Sequence, residues 1–282
     1  MDTVDSIMTV DPITFKIPSN VSELVATLIK YKITGMPVVD GNGRYAGIVT
    51  RRDVFARPEE TQAALIVRKQ NPVTADTSIM DAARLMANER RRHLAVTDSD
   101  GKVVGILTPQ DFLKIVEREY GNILVKNVMK SKSFPIWEMT PLPVVYRSMR
   151  LTGIFTYPVT DSQGSFKGLV TDRDLFDKIQ LGTIRSDGSQ TLDEDDPWSW
   201  DGVRNVVSYF IEKNHIKIPE EPVKSITIYN PVIASYNEKL SFAARRMRDG
   251  NFNQLPVTSN RNGLEGILLD LDIMSVFGDN VK

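Results

Sequence analysis

Three pairs of residues carry the first chemical suggestion in this sequence: Thr50 with Asp53, Thr108 with Asp111, and Thr171 with Asp174, each three positions apart. In each pair the threonine ends a short apolar run, and the aspartate falls on what reads as the first turn of a following helix. A strand-end hydroxyl and a carboxylate one turn further on can point into one cleft. A carboxylate accepts two hydrogen bonds, which suits a vicinal diol such as that of a ribose. The unbonded amides at the same helix start favour an anion, so a phosphate could sit nearby. The spacing equally describes a capping box, in which the two side chains only close the helix end. At this level both readings stand.

The pairs sit in related strings, GIVTRRD from residue 47, GILTPQD from 105 and GLVTDRD from 168, and a fourth string, GILLDLD, begins at 266. The intervals of 58, 63 and 98 residues recover two further features. Val21, Leu24, Val25 and Leu28 recur as Ile79, Ala82, Ala83 and Met86, as Leu142, Val145, Tyr146 and Met149, and as Leu240, Ala243, Ala244 and Met247. That spacing marks one face of an amphipathic helix. Met36-Pro37-Val38 recurs as Leu94-Ala95-Val96, Tyr157-Pro158-Val159 and Leu255-Pro256-Val257. Three features held in one register four times are an internal repeat.

Each copy reads as strand, helix, strand, strand, helix. The first strand is expected after a proline, at Pro12-Ile13-Thr14 and Pro72-Val73-Thr74, and Asn20 or Thr77 is expected to cap the first helix. Turns such as Asp40-Gly41-Asn42-Gly43 and Asp98-Ser99-Asp100-Gly101 tolerate positive φ and predict antiparallel hairpins. The fold class is therefore α/β (α+β), with four βαββα units at 1–59, 60–121, 122–180 and 223–282. One such unit leaves a sheet face uncovered and must pair with another copy. The extra length before the last copy places an insert at 181–222. There the acidic run Asp193 to Asp196 precedes Pro197, and Trp200, Val203, Val206, Val207, Phe210 and Ile211 have helical spacing. This helix either docks a partner or packs on its own domain.

Composition closes off several classes. The 282 residues carry 35 basic and 36 acidic side chains, a net charge of −1, which argues against a surface built for nucleic acid or anionic lipid. With no cysteine there are no disulfides, thiolate nucleophiles or cysteine-held metals. His93 and His215 are too few for a multi-histidine metal centre, and no protease triad order, P-loop or dinucleotide fingerprint occurs. The N-terminus lacks a signal-peptide pattern, and no apolar run approaches the roughly 18 residues that span a bilayer. The reading is a cytoplasmic protein without a catalytic site.

The order of features and the string Gly-h-h-Thr-x-x-Asp resemble the CBS (cystathionine-β-synthase-like) domain, with copies one and two, and three and four, as two Bateman modules. The arrangement is similar to archaeal four-CBS proteins and to the γ subunit of AMP-activated protein kinase. The resemblance implies ribose held by Thr50 and Asp53, Thr108 and Asp111, and Thr171 and Asp174. It implies a base-stacking wall of Met36-Pro37, Leu94-Ala95, Tyr157-Pro158 and Leu255-Pro256, with adenine edges near Ile13, Val73 and Ile136. In the fourth copy Leu269 replaces the threonine while Asp272 persists, so a vacant or altered site is expected there. Arg51, Arg52, Arg92 and His93 make the first module the better anion site. Asp172 is expected to disfavour phosphate in the third copy unless Arg173 compensates. The function implied is a sensor of AMP, ADP or ATP that signals to an unknown protein in trans. S-adenosylmethionine sensing and a ligand-independent scaffold are the alternatives. No catalytic cofactor is implied, and monomer or homodimer, a disc closed internally or by a second chain, are both compatible.

Overall fold

The computed structural model describes residues 2–130, 133–178, 180–184, 213–259 and 263–278, with 180–184 and 213–217 in backbone alone. A 3-10 turn at Val4–Ser6 and strand β1 (Thr9–Val10) precede β2 (Phe15–Lys16), α1 (Val21–Lys30), β3 (Gly35–Val39), β4 (Tyr45–Thr50) and α2 (Arg51–Ala56). The short α3 (Ala63–Ile66) leads into β5 (Val73–Thr74), α4 (Ile79–Asn88), β6 (Leu94–Thr97), β7 (Val103–Leu107) and α5 (Pro109–Glu119). The third repeat follows α6 (Val125–Val128) as β8 (Ile136–Trp137), α7 (Leu142–Thr152), β9 (Thr156–Thr160), β10 (Phe166–Thr171) and α8 (Asp172–Phe176). An antiparallel pair, β11 (Gln180–Ile184) and β12 (Lys213–Lys217), comes next. A 3-10 turn at Val223–Ser225 and β13 (Ile228–Tyr229) then precede β14 (Ala234–Ser235), α9 (Leu240–Gly250), β15 (Gln254–Ser259), β16 (Gly263–Leu269) and α10 (Asp270–Met274), before a last turn at Ser275–Phe277. The helix expected over Trp200 to Ile211, with its acidic lead, lies outside the described residues.

In every repeat the first strand runs parallel to the second and the second antiparallel to the third. The strand register corrects one expectation. Phe15 pairs with Val38 as Val73 pairs with Val96 and Ile136 with Val159, so Ile13 lies two residues outside the strand it was expected to open. A second correction concerns α4, whose cap is Ser78 and not Thr77: the Ser78 hydroxyl accepts the Asp81 amide at 3.1 Å, while the Thr77 hydroxyl accepts the amide of Thr74. Asn20 caps α1 as expected.

The helical faces bury into two cores, and these cores show how the repeats assemble. One gathers Leu24, Phe55, Leu142 and Phe176, from repeats 1 and 3; the other gathers Met86, Phe112, Leu240 and Phe277, from repeats 2 and 4. The first is closed by Phe55, whose ring stands 5.2 Å from Tyr146 and 5.4 Å from Phe176. The second is closed by Phe277 against Phe112 at 5.9 Å and Tyr120 at 5.2 Å. The helices therefore join the two modules, while the sheets join the repeats within a module.

Within a module the repeats exchange their lead-in segments. β1, ahead of repeat 1, adds to β7 of repeat 2, and Val4 enters the repeat 2 core; in return Ala63 and Ile66 of α3 enter the core of repeat 1. Likewise β13 adds to β10, and Val125 and Val128 of α6 pack with repeat 4. The glycine of the recurring string makes room for this crossing. A Cβ on Gly168 would lie 2.2 Å from the Ile228 carbonyl oxygen, and one on Gly47, at φ +150°, would lie 2.5 Å from that of Arg68. Sheets 1 and 2 meet through β3 with β7 and β4 with β6, closing four repeats into a disc-like ring in the order 1-2-4-3.

Candidate functional site

All three threonine–aspartate pairs lie where a buried strand turns into a helix at the centre of this ring. The Thr50 amide and hydroxyl donate to Asp53 Oδ2 at 2.7 and 2.6 Å. The equivalent distances are 2.7 and 3.1 Å for Thr108 and Asp111, and 2.8 and 2.7 Å for Thr171 and Asp174. Hydroxyl and carboxylate converge, and the capping box accounts for their contact with one another. Burial pushes the Asp111 and Asp174 carboxyls up, against the threonine hydrogen bonds that lower them. In repeat 4 only the backbone half of the cap survives: the Leu269 amide donates to Asp272 Oδ2 at 3.2 Å, and no hydroxyl is present.

A central cavity of about 440 Å³ draws its walls from all four repeats. Thr50, Arg51 and Arg52 come from the start of α2, Arg90 to His93 from the turn after α4, Thr171 to Asp174 from the start of α8, and Asn251 to Gln254 from the turn after α9. Arg68, from the crossing segment between repeats 1 and 2, completes it and holds Asp53 Oδ1 at 2.8 Å. Seven arginines face three carboxylates on this wall. Arg90 and Asn251, at φ 50°, occupy the same left-handed position after their helices, as do Lys32 and Gly153, and this turn feeds the next residues into the centre. Thr108 borders a second cavity of about 450 Å³ with Ile13, His93, Arg92, Arg173 and Asp270. Asp272 borders a third of about 480 Å³, with Arg52, Arg90, Arg92 and Lys130.

The apolar wall is half core. Met36, Leu94, Tyr157 and Leu255 point into the helical cores and line none of the described cavities. Their neighbours Pro37, Ala95, Pro158 and Pro256 pair across the hairpins with Ile48, Ile106, Leu169 and Ile267, and so lie on the opposite, cleft face of each sheet. Ile48, Ile106 and Ile267, which the sequence reading did not single out, line the central, second and third cavities. Val73 and Ile136 pack against the cores, and Ile13 borders two cavities.

Charge is segregated across the centre. Arg52 Nε donates to Asp172 Oδ2 at 3.3 Å, and its guanidinium lies 4.2 Å from the centroid of the Phe155 ring. Arg92 donates to the buried Asp270 Oδ2 at 2.7 Å. The compensation expected of Arg173 is thus supplied by Arg52, from the other module. Asp270 holds the position of Asp172 one interval later, a signal that the repeat offsets carried and the sequence reading passed over. Arg51 is buried, its Nε without a hydrogen-bond partner. Burial pushes Arg51 and Arg52 below the usual guanidinium range, with Asp172 pulling the other way. His93 is buried beside them and bonded to Thr34 Oγ1 at 2.8 Å; burial, then Arg92, Arg68, Arg52 and Arg51, push it down to about 3, so the ring is neutral. Gly35 permits its approach, since a Cβ there would meet His93 Cε1 at 3.0 Å. Among the described residues no group of three or more His, Asp or Glu is placed to hold a metal ion, and no helix is long and apolar enough to cross a membrane.

The repeat is matched by the CBS domain family four times, over residues 4–60, 66–118, 125–181 and 223–279. The chain is a CBS-domain protein. Its four CBS domains form two Bateman modules, and the fold is shared along nearly its whole length with solved structures. Protein MJ1225 of Methanocaldococcus jannaschii, described as a candidate archaeal homologue of g-AMPK, matches with a TM-score of 0.75 and 16% identity over 98% of this chain and 100% of that one. By sequence it is 27% identical over 191 residues, 61% of this chain and 68% of the relative. A conserved protein of Pyrococcus horikoshii gives a TM-score of 0.62 and 24% identity, covering 98% and 100%. Inosine-5'-monophosphate dehydrogenase of Aquifex aeolicus is 32% identical over 123 residues, 42% of this chain, but the match spans only 25% of that enzyme.

Proposed function

We propose that this CBS-domain protein is a non-catalytic sensor that binds an adenosine-bearing nucleotide, AMP, ADP or ATP, between its paired repeats and passes the bound state to a partner protein. The observation that carries this reading is the central cavity, where two strand-end hydroxyls, Thr50 and Thr171, and the carboxylate of Asp174 open on one chamber rich in arginine. Its volume of about 440 Å³ falls in the range of small-molecule sites, roughly 300–1,000 Å³. The hydroxyl and carboxylate offer the acceptors a ribose diol needs, and the surplus of guanidinium groups calls for an anion. Thr108 with Asp111 would serve a second ribose at the neighbouring cavity. Asp272, in the copy where Leu269 stands in place of the threonine, would serve a weaker or different ligand. S-adenosylmethionine would use the same ribose and adenine groups but brings no phosphate to the arginines, so the charge surplus favours a nucleotide.

Binding alone can shift a conformational equilibrium by the ligand's differential affinity for two states, so signalling needs no catalytic group. Calorimetric titration of the purified chain with AMP, ADP, ATP and S-adenosylmethionine tests the reading. The nucleotides are expected to bind and S-adenosylmethionine to bind more weakly. Asp174→Asn is expected to weaken AMP at least tenfold, since one bidentate partner of the diol is lost. Undiminished AMP binding by Asp174→Asn and Asp53→Asn would remove the ribose assignment.

A further inference from the structure

Beside the longer contact of Arg90 with Asp272 at 3.9 Å, two shorter ion pairs at the centre share a design that the sensor reading leaves unexplained. In each the cation belongs to the first module, Arg52 or Arg92, and the anion to the second, Asp172 or Asp270. Both aspartates sit at the first position of their helices, directly after the strand ends Thr171 and Leu269. At that position the first module carries Arg51 and Pro109. Asp270 is buried almost completely, and its second oxygen takes the Leu271 amide at 2.7 Å. Buried ion pairs of this kind gain little over their desolvation cost. Beside Arg52, Asp172 and Arg92 on the wall of the central cavity, Arg51 is buried with its Nε unpartnered.

We propose that Asp172 and Asp270 are internal counter-anions that compete with a phosphate-bearing ligand for the arginines of the first module, setting the charge the ligand must bring and tying its binding to the contact between modules. A phosphate brings up to two negative charges and three strong acceptors, more than a single carboxylate offers. It can take Arg52 or Arg92 on the wall that Arg51 also lines. An uncharged nucleoside cannot make the exchange. The inference rests on the reading of the central cavity, which Asp172 lines, and of its neighbour, which Asp270 lines, as nucleotide sites, and it makes these two aspartates the residues that decide charge selectivity.

The test is calorimetric titration of the full chain and of Asp172→Asn and Asp270→Asn with adenosine, AMP and inorganic pyrophosphate at one ionic strength. AMP and pyrophosphate are expected to bind each Asn variant about tenfold more tightly, the lower end of what removing a like charge is worth. Adenosine is expected to change by less than about twofold, and Asp172→Glu, which keeps the charge, to stay near wild type. Unchanged or weaker AMP binding by both Asn variants, or an equal gain for adenosine, overturns the inference. If pyrophosphate gains as stated while neither adenosine nor AMP binds, the counter-anion role stands and the nucleotide reading falls; if no probe binds, both fall. Should neither Asn variant fold, the wild-type protein reports the same exchange through the nuclear magnetic resonance signal of the Arg52 Nε–H group. That signal is expected to move with pyrophosphate and not with adenosine, and a stationary signal overturns the proposal.

Discussion

The two modules share one backbone design and carry opposite charge at their common centre. Helix α2 of the first begins Thr50-Arg51-Arg52-Asp53, and helix α10 of the second begins Leu269-Asp270-Leu271-Asp272. In both, the last aspartate accepts the amide of the strand-end residue, at 2.7 and 3.2 Å. The cap is thus a property of the fold, retained even where the hydroxyl is gone. The residues between are free of that duty, and they hold two arginines in α2 and an aspartate with a leucine in α10. A recurring motif can therefore be partly structural in every copy and chemical only where its surroundings allow.

The largest test of this comparison asks whether the two seams that hold the modules together are equivalent. Phe55→Ala in the seam of repeats 1 and 3, and Phe112→Ala in that of repeats 2 and 4, are each expected to cost about 3–5 kcal/mol in chemical denaturation. A small loss for Phe112→Ala would show that the second seam leans instead on Glu117, which pairs with Arg245 and Arg248 of α9.

Next in size is the pH response of the first module, where His93 has no counterpart among Gly35, Thr156 and Gln254. An unfolded histidine takes up a proton near 6.5, and the folded one only near 3. Between these values the unfolded state binds more protons, so this group's stability is present above 6.5 and falls as pH falls, by about tenfold in the folding constant per unit. Asp111, Asp174 and Asp270, whose folded pKa values are raised, act with the opposite sign just above the ordinary carboxylate range. His93→Gln is expected to recover about 2–3 kcal/mol of the loss between pH 6.5 and 4.5, followed by urea melts at each pH. A parallel loss in wild type and variant would place the acid sensitivity elsewhere.

Smaller effects separate cap from cargo. Thr50→Ala and Thr171→Ala are expected to cost about 1 kcal/mol each regardless of the charge around them, and Leu269→Thr to gain about half that by completing the fourth cap. Unequal losses at Thr50 and Thr171, measured by thermal melting at neutral pH, would mean that local charge contributes to the cap after all. Arg68→Ala is expected to change stability by less than about 1 kcal/mol, because its side chain is half exposed where it meets Asp53.

The repeat, the strand and helix order and the helical faces were legible from residue spacing, because periods of 3.6 and 2 residues are fixed by local backbone geometry. Spacing also carried the capping aspartates, since a helix start needs its acceptor three residues on. Several finer points were not legible. The strand at Phe15 was displaced by two residues because a proline marks a turn and not a fixed distance from the ladder. Half of the expected wall fell into the cores because adjacent strand residues face opposite sides of a sheet. The pairing of Arg52 with Asp172, 120 residues away, and of Arg92 with Asp270, 178 residues away, has no local signature at all. By itself the chain determined what each repeat is, through hydrogen bonds and apolar periodicity that act within a few residues. Which repeats meet through helices, which exchange their lead-in segments and which charges face one another was decided only in the tertiary structure, where burial brings distant residues out of water and into contact.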